Sequence, residues 1–127
     1  MGFNIASVSG PLGTKLATVT PVDNSAEEDI FGGAVTVYAI EVNNTLNANQ
    51  INYVKLIDGD GSGSQGVVTE GTDAPHHILY APAGKRITYM YPEGMPFSKV
   101  RVWATQEPGT AGTTSPSSSV TVEILAT

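Results

Sequence analysis

Seven consecutive residues, Asp58-Gly59-Asp60-Gly61-Ser62-Gly63-Ser64, form the one local motif whose residue types and spacing could carry chemistry. Carboxylates at the first and third positions, a hydroxyl at the fifth and a glycine at the sixth match the opening half of a calcium loop, where oxygens converge on the cation around a sharp turn. Asp58, Asp60 and Ser62 are therefore the candidate metal ligands. The distal half departs from that pattern: the twelfth position is Thr69, Glu70 comes one residue late, and strand-like runs flank the loop where an EF-hand has helices. The plainer reading is a flexible Gly-rich loop between strands, with no metal and no cofactor.

Other chemistry-bearing residues are less well placed. His76 and His77 are adjacent, and neighbours on a strand point to opposite faces, so the pair cannot chelate one ion from a regular ladder. No cysteine and no third histidine completes a ligand set. Serine is abundant, but no Gly-x-Ser-x-Gly elbow surrounds any of it. Catalytic pairing of carboxylates depends on distances that sequence order does not reveal in an all-β chain. No catalytic residue is assigned, and the chain reads as a non-enzyme.

The elements that would position these residues are strands. Residues 67–105 hold three strand-like runs, His76 to Tyr80, Arg86 to Tyr91 and Lys99 to Ala104, and nothing helical. Pro82-Ala83-Gly84 reads as the turn of a hairpin, and Pro92-Glu93-Gly94-Met95-Pro96 as a second reversal, so the stretch is predicted to be a β-meander. Alternation places Ile87, Tyr89 and Tyr91 on one side, and sets Val100, Val102 and Ala104 against Arg101 and Trp103. The opposite faces are expected to carry solvent-tolerant chemistry.

Upstream, Ala34 to Val42 and Ile51 to Asp58 read as strands around a polar loop, Asn43 to Asn49, whose asparagines tolerate turn conformations. Val54 and Leu56 share one face, with Tyr53, Lys55 and Ile57 on the other. Gln106 to Ser119 is polar and small-residue rich and reads as a long exposed loop, after which Val120 to Ala126 forms a last strand. The predicted core is Val54, Leu56, Ile87, Tyr89, Val100, Val102, Val122 and Ile124. Residues 1–33 carry little apolar material and read as an extended N-terminal arm with one strand near Ala17 to Val22, kept solvated by Glu27-Glu28-Asp29 and docked on a neighbour.

Composition bounds the class. With 127 residues, 14 glycines, 8 prolines and 14% charged residues, the chain suits one turn-dense all-β domain. Residues 34–127 are expected to form an antiparallel β-sandwich, jelly-roll-like or immunoglobulin-like, of six or seven strands. A net charge of −6 argues against nucleic acid, which needs a basic stripe. Lys85, Arg86, Lys99 and Arg101 are expected on solvated faces. No run long enough for a membrane helix and no signal-peptide pattern is present, so a soluble chain without an export signal is expected.

The succession VYAIEVNNT, YVKLID, GTDAP, LYAPAGKRITYMYPEGMPFS and GTAGTTSPSSSVTVEIL resembles a family of small virion structural proteins of tailed bacteriophages, of the capsid decoration, cement or head-fibre kind. The resemblance covers about residues 34–127 and carries no catalytic residue. It implies a capsid-surface location, the major capsid protein of the shell as partner, and a homotrimer. The alternative is a receptor- or carbohydrate-binding module of a fibre, with Trp103, Tyr80, Tyr89 and Tyr91 as stacking surfaces.

Overall fold

The computed structural model describes residues 2–7, 14–59 and 67–127. Their regular structure is entirely strand: β1 (Gly2–Ser7), β2 (Lys15–Val22), β3 (Val35–Asn43), β4 (Asn52–Asp58), β5 (His77–Ala81), β6 (Arg86–Phe97), β7 (Val100–Thr105) and β8 (Val120–Ala126). Two antiparallel sheets form, of order β1-β2-β8-β3-β6 and β5-β4-β7. They face each other with β2 over β7 and with β3 and β6 over β5. The fold is the expected all-β sandwich.

Period-two alternation drives the layering. In β8, Val120, Val122, Ile124 and Ala126 are buried and the intervening residues are half-buried, and β3 buries Val35, Val37, Ile40 and Val42 in the same way. These meet Val54, Leu56, Leu79, Val100, Val102 and Ala104 from the smaller sheet in one continuous core. Of the predicted core residues, Ile87 and Tyr89 pack against its margin and the other six lie within it.

The connectivity differs from a meander. β5, β6 and β7 do not pair with one another; β5 and β7 flank β4, whereas β6 pairs with β3 in the other sheet. Pro82-Ala83-Gly84 thus carries the chain from one sheet to the other, closed by Lys85 N–H on Pro82 O at 3.3 Å. The second turn signal also takes another form. β6 runs straight through Pro92 to Pro96, and the extra residues bulge out opposite Tyr38, where the β3–β6 register shifts between Val37 and Ala39. Leaving β1 aside, the second and fifth strands pair in one sheet and the third and sixth in the other, as in immunoglobulin-like sandwiches. The last strand departs from that plan by inserting between β2 and β3.

The first 33 residues do more than an arm. Ala17, Val19, Val22 and Ile30 belong to the core, and β2 is an interior strand bonded to β8. The expected dock is therefore this chain's own sheet for β2, while β1, exposed along its whole length and contacting β2, keeps the character of an arm. The strand expected near residues 17–22 is β2.

The outer face of the smaller sheet is covered along β4 and β7 and open only along β5, where Ile78 and Tyr80 are exposed. Lys55, Ile57, Arg101 and Trp103 point outward from it, yet all are buried beneath the segments that precede β3 and β5 and follow β7. Loops cover that face because the three-stranded sheet is narrow enough for them to cross it. Residues 106–119 hold no strand, as expected, but are tied down at many points rather than left loose. Gln106 N–H donates to Thr114 O at 2.8 Å, Ser118 N–H to Asn47 Oδ1 at 2.8 Å, and Lys55 Nζ to Gly109 O at 2.7 Å.

Candidate functional site

Asp58 ends β4, and its carboxylate is committed to the turn between β6 and β7. Its Oδ1 accepts from Ser98 N–H at 2.6 Å and from Ser98 Oγ–H at 3.0 Å, while its own N–H donates to His76 Nδ1 at 2.9 Å. Asp60 and Ser62 lie outside the described residues. Among the described residues no three His, Asp or Glu side chains gather in a way that could hold a metal ion. Asp58 is thus a structural cap on the β6–β7 turn.

The histidines diverge as alternation requires. His76 accepts the Asp58 N–H, which places its ring proton on Nε2, whereas the His77 ring tilts against Phe97 at 5.5 Å between centroids. Burial lowers the His77 imidazole below its ordinary value, with His76 adding to the effect and Asp58 opposing it. Asp58, His76 and Ser98 bring a carboxylate, an imidazole and a hydroxyl together, but the hydroxyl bonds the carboxylate and the imidazole bonds a backbone amide. Nothing in this order activates a nucleophile, which needs its base in contact with the attacking oxygen.

Three polar clusters, none foreseen as such, are built into the fold. In the first, the buried side chains of Asn44, Asn47 and Asn52 converge: Asn44 Oδ1 accepts from Asn47 and Asn52 Nδ2 at 2.9 Å each, and Asn44 Nδ2 donates to the carbonyls of Gln50, Ala81 and Pro82. These asparagines fasten the loop after β3 to both sheets. In the second, buried Arg101 pairs with Glu28 and donates Nε–H to Gly59 O at 2.7 Å, while Glu28 Oε1 accepts from Val68 N–H at 2.9 Å. Arg101 was expected in solvent; its burial stitches the β2–β3 and β4–β5 connections onto β7. In the third, the buried Lys55 ammonium, lowered from its ordinary value by desolvation against the attraction of Glu107, holds Gly109. Hydrogen bonds from Thr114 hold the Glu107 carboxylate below its usual range. A lysine in the middle of an alternating strand, inside a chain with few charges, is the sequence signal for such a cluster.

The aromatic residues do not form a common platform. Trp103 is buried beside Ile57 and Val68, and Tyr91 packs on the core. Tyr89 Oη donates to Tyr80 O at 2.6 Å, leaving Tyr80 exposed with its ring edge-on to Tyr53 at 5.9 Å. On the outer face of the larger sheet, Glu41 and Glu123 stand directly opposite each other in the β3–β8 ladder, with Arg86 4.0 Å from Glu41.

What remains at the surface is sheet edge and scattered apolar side chains. Three of the four edges are blunted, in the ways that natural sheets use to avoid unwanted pairing. The β7 edge is covered by residues 23–30 through hydrogen bonds such as Glu27 N–H to Val102 O at 2.8 Å and Ala104 N–H to Asp23 O at 2.7 Å. β6 carries Pro92, Pro96 and its bulge. β5 is five residues long, lies between Pro75 and Pro82, and has the Tyr89 hydroxyl on its Tyr80 carbonyl. Among the described residues, β1 has none of these devices. Comparison with protein-family models, with curated proteins and with solved structures finds no match to this chain.

Proposed function

We propose that this chain is a non-enzymatic virion structural protein, which decorates a phage capsid and cements it through contacts made by several copies. The observation that carries the reading is what the polar side chains, buried and half-buried, are bonded to. Asn44, Lys55, Asp58, Arg101 and Glu107 are each engaged in fastening loops to the sandwich, so the chemistry in this chain serves rigidity. A rigid, loop-pinned sandwich with an open strand edge suits a part that adds contacts to a larger assembly. The resemblance over residues 34–127 supports the shell as that assembly, with its major capsid protein as the partner and the virion surface as the location. Attachment at many equivalent positions lets modest contacts per chain sum to firm binding.

The carbohydrate-binding alternative loses its main stacking surface, since Trp103 is buried. Co-sedimentation of the purified chain with shells of the parent virus, followed by electron cryomicroscopy of the pellet, tests the reading. Extra density at regular positions on the shell is the expected result. Absence from the pellet, together with retention of the chain on a glycan array, would favour the fibre module instead.

A further inference from the structure

We infer that β1 is a self-association edge, on which a second copy of this chain adds its own β1 in antiparallel fashion across a two-fold axis. β1 ends the five-stranded sheet and, among the described residues, lacks the cover, proline, bulge or capped carbonyl that blunts the other three edges. Its register sets Phe3 opposite Val19 and Ile5 opposite Ala17, so both side chains point to the core side of the sheet. Yet β2 already lies over β7, the outermost strand of the smaller sheet, so β1 overhangs it. Phe3 and Ile5 are consequently 45% and 40% exposed on a face built to be buried.

A second copy fits this edge by charge and by pattern. Gly2 to Ser7 carries no charge within a chain of net charge −6, so it is a surface on which two copies meet without opposing like charges. Residues directly opposite in an antiparallel pair share a face, so only registers that keep Phe3 and Ile5 on one side are compatible with it. The register centred on Asn4 does so best. It places Phe3 against Ile5 of the second copy and Ile5 against its Phe3, forming one four-residue apolar patch, and it pairs the two Asn4 amides on the outer face. Centring on Ile5 instead would set Phe3 against Ser7. The product is a continuous sheet spanning both copies and a closed two-fold dimer, where the resemblance to decoration proteins implies a trimer.

Sedimentation equilibrium of the full chain, from low micromolar to millimolar concentration, tests this without any partner. A reversible monomer–dimer equilibrium is expected. Ile5→Lys should weaken it by about tenfold or more by placing an ammonium opposite Phe3 of the other copy. The double change Phe3→Glu with Ile5→Lys should recover much of the loss at low salt, because the new charges face each other across the dimer. Circular dichroism confirms that the variants, altered at exposed positions, stay folded. A monomer at every concentration, a trimer, or a dimer indifferent to Ile5→Lys would overturn the proposal; a dimer that the double change fails to restore overturns the register. None of these outcomes depends on shell binding, so failure of this inference and failure of the decoration reading are told apart.

Discussion

At the scale of the residue, the buried asparagine cluster shows how polar chemistry became architecture. Asn44 satisfies three carbonyls and two amide donors from a position with no exposed surface, so its removal leaves several buried groups without partners. Asn44→Ala should cost about 3–4 kcal/mol, read as a lower urea midpoint at unchanged slope. His77 supplies a pH dependence. Its folded-state value is lowered, mainly by burial, from the ordinary 6.5, so the unfolded chain binds a proton at higher pH than the folded chain does. Stability from this group is complete above the unfolded value and is lost as pH falls through it toward the lower folded value. The melting temperature should decline as pH falls through the ordinary value of 6.5 and below it, less steeply in His77→Gln. The sequence showed that His76 and His77 must diverge, since alternation alone dictates it. It did not show that Asn44 or Arg101 would be buried, because burial of a polar side chain depends on which loop crosses above it.

At the scale of the element, the strands and their inward faces were legible wherever a half-buried surface imposed a period of two. Val54 and Leu56 against Lys55 and Ile57, and Val100 and Val102 against Arg101 and Trp103, fall on the faces expected. The bulge in β6 was misread as a reversal, since two prolines and a glycine are compatible with either. A second sign lay in β3, where the buried alternation Val35, Val37 slips to Ile40, Val42 at the position facing the bulge. Gly94 makes the bulge possible. Its φ is +80°, and a Cβ there would stand 2.5 Å from Thr36 Cγ2 and 2.9 Å from Tyr38 Cε1. Gly94→Ala should therefore cost more than the roughly 1–2 kcal/mol of a left-handed backbone alone, measured by denaturant unfolding. A change within about 0.5 kcal/mol would mean that the bulge relaxes without penalty.

At the scale of the whole molecule, strand order was hidden because sequence periodicity reports which side a residue faces and not which strand lies beside it. β5, β6 and β7 read as neighbours, and crossing between the sheets at each turn is what interlocks the sandwich. The same limit concealed the role of the first 33 residues, whose few apolar side chains looked insufficient until β8 and β7 were in place to receive them. Two shortened chains separate the contributions. One beginning at Thr14 removes β1, whose residues are all exposed, and should unfold cooperatively with only a modest fall in melting temperature. One beginning at Ala34 also removes Ala17, Val19, Val22 and Ile30 from the core, together with the cover over the β7 edge. Losing several fully buried side chains at ~2–5 kcal/mol for each large one exceeds the whole stability of an ordinary domain, ~5–15 kcal/mol. That chain should lack a cooperative thermal transition and expose its sheet edges to aggregation. Cooperative unfolding of the chain beginning at Ala34, near the full-length melting temperature, would instead make residues 1–33 a true appendage.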